Sequence, residues 1–230
     1  MQIETWIRKR VKKDTPLWGA LTAIYYHPKS NWRWWWDLRK IPYRKITRNS
    51  IFFEESELHM CSLFPQRTLD ATVEMFNPQT VLDLGCGTGR SLDYFVELGI
   101  EAQGIEGSSV AISRARHPEL IQQIDFNHEV NLNRKFDLVW CFEVVEHIHP
   151  KYVHNLMKTF SNHADCVVIS AARPGQGGEG HFNEQPPEYW IKKFKDHGYE
   201  CDETKTERLR SLGELFSENM LVFVRPEIFG

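Results

Sequence analysis

The chain has little with which to build a disulfide framework. Its five cysteines, Cys61, Cys86, Cys141, Cys166 and Cys201, are odd in number, scattered, and form no Cys-x-x-Cys pair. That usage points to a reducing compartment, and a cytoplasmic location is the expectation. Long apolar runs are missing as well. None reaches the roughly 18–20 residues of a membrane span, and the nearest, LWGALTAIYY at 17–26, is not followed by a small-residue cleavage signature. Internal repeats and low-complexity tracts are absent too. A secreted or membrane-spanning protein is therefore not expected. What is present is 230 residues of 41% hydrophobic content, enough to bury the core of one catalytic-sized unit with or without an extension.

Charge of one sign is scarce at each end in turn. Residues 1–50 hold twelve Lys/Arg against three Asp/Glu, a net +9, whereas the remaining 180 residues are net −12. This break divides the chain into a basic, Trp-rich N-terminal extension at 1–50 and a main domain at 51–230. A segment such as NWRWWWDLRK has the chemistry to bind RNA or to make peripheral contact with an anionic membrane, because Lys/Arg attract phosphates while indoles stack on bases or sit among headgroups. The plainer reading is an aromatic, basic arm whose tryptophans pack on the acidic body.

From residue 80 onward, short apolar runs alternate with amphipathic stretches. TVLDL (80–84), EAQGIE (101–106), LIQQI (120–124), FDLVWC (136–141) and ADCVVISAA (164–172) read as strands. Between them, Leu92, Phe95 and Val96 share one helical face, SSVAISRAR (108–116) is a helix capped by Ser108 or Ser109, and Val153, Leu156, Met157 and Phe160 form a stripe begun by Pro150. PPEYWIKKFKDHG (186–198) is a further helix. YECDETKT (199–206) and NMLVFVRP (219–226) read as two late strands joined by helical ERLRSLGELF. The alternation predicts an α/β fold, a doubly wound, mostly parallel sheet with helices on both faces.

Two familiar phosphate loops are lacking. VLDLGCGTGRS places glycines at 85, 87 and 89 between the first strand and helix, but a G-x-G-x-x-G loop would need glycine at 90, which is Arg, and no Gly-Lys-Ser/Thr follows. Asp83 at the strand end would also repel a pyrophosphate. The loop suits a ligand with an ammonium group for Asp83 and a small carboxylate for the loop amides. Glu106 ends the second strand, 21 residues beyond Gly85, where a carboxylate accepts from ribose hydroxyls. Asp125 ends the third strand, in reach of an adenine amino group, with Phe126 against the ring.

VLDLGCGTGRS, GIEGS, QIDF and FDLVWCFEVVEH, in this order, resemble the class I S-adenosylmethionine-dependent methyltransferases over about residues 50–226. The resemblance implies a seven-stranded sheet and S-adenosylmethionine as cofactor. It assigns Asp83, Gly85, Cys86 and Gly87 to the methionine end, Glu106 and Gly107 to the ribose, Asp125 and Phe126 to the adenine, and Glu143 to the same pocket.

Behind the fourth strand, CFEVVEHIHP (141–150) gathers four ionisable side chains. Pro150 disfavours helical geometry for His149, so a helical turn from Phe142 closes by Ile148. Glu143, Glu146 and His147 then share one face, opposite Val144 and Ile148. Three chemistries are open for that face: a pocket wall, a general base at His147 with His181 of the glycine-rich loop GQGGEGHFNE as rival, or a divalent-cation site of Glu143, Glu146, His147 and His181 suited to Mg²⁺ or Mn²⁺. E-x-x-E-H is similar to the pattern in quinone-biosynthesis O-methyltransferases and, with a distant His, in small-RNA 2′-O-methyltransferases. Here the His-rich loop of the RNA enzymes is missing around His181. The expected activity is O-methylation of a small molecule, a sugar or lipid-linked intermediate among the options. The alternatives are RNA 2′-O-methylation and a non-catalytic cofactor-binding protein.

Overall fold

A computed structural model describes residues 63–178 and 180–226. The N-terminal arm at 1–50, with its expected RNA, membrane or body contacts, lies outside the described residues.

The strands are β1 (Thr80–Leu84), β2 (Glu101–Glu106), β3 (Ile121–Gln123), β4 (Leu138–Cys141), β5 (Cys166–Ser170), β6 (Glu200–Cys201) and β7 (Met220–Val224). They form one seven-stranded sheet of order β3-β2-β1-β4-β5-β7-β6, in which only the β7 pairings run antiparallel. The helices are α1 (Gln66–Phe76), α2 (Arg90–Glu97), α3 (Ser109–Ser113), α4 (Val153–His163), α5 (Pro187–Lys195) and α6 (Glu203–Arg210).

Strand periodicity divides the core into two layers. Val139, Cys141, Val167, Ile169, Leu221 and Phe223 point to one face, where Leu156 and Phe160 of α4 and Trp190 and Phe194 of α5 cover them. Leu138, Trp140, Val168, Met220 and Val222 point to the other, under Leu69 of α1, Phe95 of α2 and Leu209 of α6. The Phe194 and Phe223 rings stack 3.8 Å apart and 3° from parallel, which fixes α5 on β7.

The strand order reverses between β1 and β4, so a crevice opens beyond their carboxyl ends. The loops after these two strands, 85–89 and 142–148, flank it. Gly104 on β2 lies beneath the first of them: a Cβ there would stand 2.8 Å from Cys86 Sγ and 3.1 Å from Ile121 Cγ1.

Several boundaries differ from the sequence pattern. Residues 142–148 are not a helical turn. Glu143 takes a left-handed φ of 52°, Val144 is non-helical, and only Val145–His147 forms a 3₁₀ turn. The polar triplet therefore does not share one face, and Val144 and Ile148 turn toward the crevice alongside Glu143 and His147. His149 is extended (φ −57°, ψ 138°), as its following proline requires. The late strand ends at Cys201 because Asp202 caps α6, accepting from Lys205 N at 2.9 Å, so the helix begins at Glu203 rather than after Thr206. Ser108 does cap α3, accepting from Ala111 N at 3.2 Å. Among the described residues, no helix is long and apolar enough to cross a membrane.

Replacing Gly104 with alanine forces the loop and β3 apart, and destabilisation of about 1–3 kcal/mol is expected. Urea unfolding of the two proteins checks this; equal midpoints and slopes would contradict the packing described.

Candidate active site

A cavity of about 260 Å³ occupies the crevice. One end is built by the loop after β1 and the tip of β2. Gly85 N and Cys86 N donate to Ile105 O at 2.8 and 3.2 Å, which pins the loop to β2. Gly85, with φ of 81°, needs its missing Cβ, because one there would overlap the Val144 side chain. Glu106 bridges the same gap: Oε2 accepts from Gly87 N at 2.9 Å and Oε1 from Ser108 N at 2.7 Å. Burial raises its pKa while these amides lower it.

Asp83, 2% exposed, lies under the loop, and its Oδ2 has no hydrogen-bond partner. Burial first, and then the Glu106 charge, push this carboxyl up to about 8. The charge of a cationic group placed in the cavity would oppose both effects, which suits the ammonium of an amino-acid ligand.

The other end is built by the turn after β4 and the stretch that follows β5. Glu143 is held in its strained conformation by three contacts. Its N–H donates to Ser170 Oγ at 2.6 Å, and its carboxylate accepts from Asn219 Nδ2 at 3.1 Å and Gln176 Nε2 at 3.3 Å. Phe216, also left-handed at φ 61°, lines the cavity beside Phe142, 6.4 Å between ring centroids, and the Phe142 ring stacks on Trp140 at 5.7 Å. The remaining non-glycine residues with positive φ among those described are two asparagines, which tolerate it. The strained Glu143 and Phe216 thus both face one cavity, where strain of about 1–3 kcal/mol each is tolerated for function.

Phe182 N and Asn183 N both donate to the backbone oxygen of Glu146, at 3.0 and 2.9 Å, and bring His181 against the 3₁₀ turn. The His147 and His181 rings meet edge to face, 4.8 Å between centroids. His147 Nδ1 lies 3.2 Å from Gly180 O, an acceptor only, so Nδ1 carries the proton and Nε2 the lone pair. The ring borders the cavity and is half-buried, with protein packed closely round it. Burial first, and then the His181 ring, hold its pKa down at about 3.

Glu146 is the anomaly. It is 0% exposed and neither carboxyl oxygen makes a full hydrogen bond; the amides of Glu146 and Ala172 and the carboxyl of Glu143 lie beside it. Burial first and the Glu143 charge second raise its pKa well above the usual carboxylate range. One ligand atom each from Glu146, His147 and His181 lies within 4.8 Å of the others.

Of the residues the sequence singled out, Asp83, Gly85, Cys86, Gly87, Glu106, Gly107, Phe126, Glu143, His147 and His181 line this single cavity. Asp125 does not: its Oδ1 accepts from Asn127 N at 2.8 Å in a tight turn, and Oδ2 lies 3.4 Å from His128. Glu146 lies behind the wall rather than on it. Glu143 is not among the three residues whose ligand atoms lie within 4.8 Å of one another; its carboxylate is tied to Asn219 and Gln176 and also meets the Glu146 carboxyl. Gln176, Gly178, Phe142 and Phe216 also line the cavity. Their only sequence signals were a glycine-rich stretch and two aromatic residues without a pattern.

A family model described as a methyltransferase domain matches residues 63–204. The chain belongs to the class I S-adenosylmethionine-dependent methyltransferases. In this family S-adenosylmethionine is the methyl donor; Asp83, Gly85, Cys86, Gly87 and Glu106 line one end of the cavity. Among relatives, the chain is 29% identical over 122 residues to a ubiquinone biosynthesis O-methyltransferase of Rhodopseudomonas palustris (strain TIE-1), covering 50% of this chain and 47% of the relative. It is 28% identical over 109 residues to the mitochondrial counterpart of Schizosaccharomyces pombe, covering 43% and 40%. The chain thus spans about half the length of the curated relatives it matches. Among solved structures, the sugar N-methyltransferase KedS8 from a Streptoalloteichus species shares the fold at TM-score 0.59 and 17% identity, covering 77% of this chain and 94% of that one. The methyltransferase domain of bacterial CtHen1 does so at 0.53 and 17%, covering 70% and 97%.

Because burial and the Glu106 charge keep the Asp83 proton up to about pH 8, binding of a ligand ammonium displaces it. Affinity for S-adenosylhomocysteine should therefore rise from pH 6 to 8, by at most about tenfold per unit, and Asp83→Asn should flatten the slope. Calorimetry across that range checks this, and a pH-independent affinity in the unaltered protein would contradict it.

Proposed function

We propose that this methyltransferase moves the methyl group of S-adenosylmethionine to a hydroxyl oxygen of a small molecule, with a divalent cation at Glu146, His147 and His181. The observation that carries the reading is the buried carboxyl of Glu146, without a full hydrogen bond, beside the two imidazoles that line the far end of the cavity holding Asp83 and Glu106. An ionised carboxylate without donors costs several kcal/mol inside a protein, so Glu146 either keeps a proton or faces a cation. Two imidazoles and one carboxylate suit Mn²⁺ or a similar first-row divalent ion, and Mg²⁺ less well.

His147 supports the ligand role more than the base role. An imidazole held near 3 accepts a proton poorly at neutral pH but remains a neutral ligand through Nε2. When bound, a cation at this site would polarise an acceptor hydroxyl and favour its alkoxide. The chain's own contribution is alignment. Asp83 and Glu106 hold the donor, the Phe142 and Phe216 rings offer an apolar wall to the acceptor, and Gln176 offers it a polar edge. Transfer to oxygen also agrees with the named chemistry of the ubiquinone biosynthesis relatives.

A second reading takes the 2′-hydroxyl of RNA as acceptor, favoured by the +9 charge of residues 1–50 together with the same triplet. Its signature is RNA binding that weakens steeply with salt.

Labelled methyl from S-adenosylmethionine, supplied with a cell extract, should appear in the low-molecular-mass fraction. Excess EDTA should abolish it, Mn²⁺ or Mg²⁺ should restore it, and Glu146→Gln should lower it by more than about 100-fold, since losing an inner ligand outweighs losing an outer partner. Label confined to RNA would favour the second reading. Full transfer in EDTA would remove the cation, and no transfer to any fraction would leave a protein that binds the donor without using it.

A further inference from the structure

His181 is presented to the cavity by a single buried carboxylate. Glu184 is 4% exposed and receives three N–H donors: Gly177 N at 2.7 Å and His181 Nδ1 at 3.1 Å on Oε1, and Gly175 N at 2.9 Å on Oε2. Gly175 and Gly177 have φ of 90° and 73°, so this backbone depends on both glycine freedom and an acceptor for its inward amides. Gly178 lies directly on the other side of the ring, where a Cβ would overlap His181 Nε2. The imidazole is thus held between a carboxylate at Nδ1 and a backbone without a side chain. His181 itself is 5% exposed, which leaves its ring little freedom to turn.

We propose that Glu184 is the positioning residue of this site, fixing His181 as the Nδ1–H tautomer so that Nε2 is its lone-pair nitrogen toward Glu146 and His147. A carboxylate only accepts, so it selects the tautomer as well as the orientation of the ring. The same carboxylate ties Gly175 and Gly177, on either side of Gln176, to the ring. Glu184 therefore sets the wall of the cavity and the His181 nitrogen together.

A glutamine at 184 keeps the size but has one acceptor oxygen. Whichever way it turns, its NH₂ meets a loop N–H, and in one orientation it donates to His181 Nδ1 and selects the opposite tautomer.

The proposal rests on the functional reading above for its consequence, but not for its test. The full chain with ¹⁵N-labelled histidine and bound S-adenosylhomocysteine is measured by imidazole NMR near pH 8, where a free histidine is neutral. The expected spectrum has His181 Nδ1 protonated and Nε2 unprotonated, with Glu184→Gln shifting it to a mixture or to the Nε2–H form. Glu184→Asp, which keeps the carboxylate, should retain part of the original signal. Methyl transfer should fall about 10–100-fold in Glu184→Gln, the usual effect of losing an outer partner.

An Nε2–H tautomer in the unaltered protein would overturn the proposal without any variant. So would a Glu184→Gln protein that loses thermal stability but keeps the original tautomer, since that is a structural role alone. If the tautomer behaves as expected while the unaltered protein transfers no methyl group, the positioning role stands and the functional reading falls.

Discussion

The carboxyl of Glu146 is the constraint around which the site is organised. Its backbone oxygen takes two amides from the 182–183 stretch, which holds the turn in place, and its side chain is fully buried. The same two bonds bring His181 to His147. Packing around the turn is apolar: Val145, Ile148 and Val153 belong to the main core. A carboxyl enclosed in this way is either protonated or matched by positive charge, and the two neighbouring imidazoles bring ligand atoms within 4.8 Å.

The two ends of the cavity share a wall. Val144 fills the space that a side chain at Gly85 would need, so the loop after β1 packs directly on the turn after β4. Glu106 then fastens that loop to the tip of β2, while Ser170 and Asn219 fasten Glu143 to β5 and to the approach to β7. A displacement of either end is felt at the other. For an in-line transfer whose acceleration comes largely from alignment, such coupling is the useful property of the fold.

Much of this was legible in the chain, for local reasons. Apolar runs of four or five residues separated by amphipathic stretches specify buried parallel strands, and the glycines at 85, 87 and 89 specify a backbone that a ligand can approach. What sequence reasoning missed depends on distant partners. Nothing in CFEVVEHIHP announces that Glu143 is left-handed, because Ser170 and Asn219, 27 and 76 residues away, hold it there. With Glu143 turned aside, the i, i+3, i+4 pattern no longer describes a face. Asp125 closes a turn with Asn127 through Oδ1, a local bond common to aspartate at strand ends that the pattern did not announce. Asp202 likewise ended a strand that its neighbours would have continued. Glu184 gave no signal of its own, since its role depends on glycine amides folding back over it.

The most direct measurement is a Mn²⁺ titration of the S-adenosylhomocysteine-bound protein followed by electron paramagnetic resonance. The account predicts one bound ion per chain, nitrogen hyperfine coupling from imidazole ligands, and loss of the site in Glu146→Gln with the fold intact. Absence of bound Mn²⁺ at millimolar concentration, or binding that survives Glu146→Gln unchanged, would contradict it.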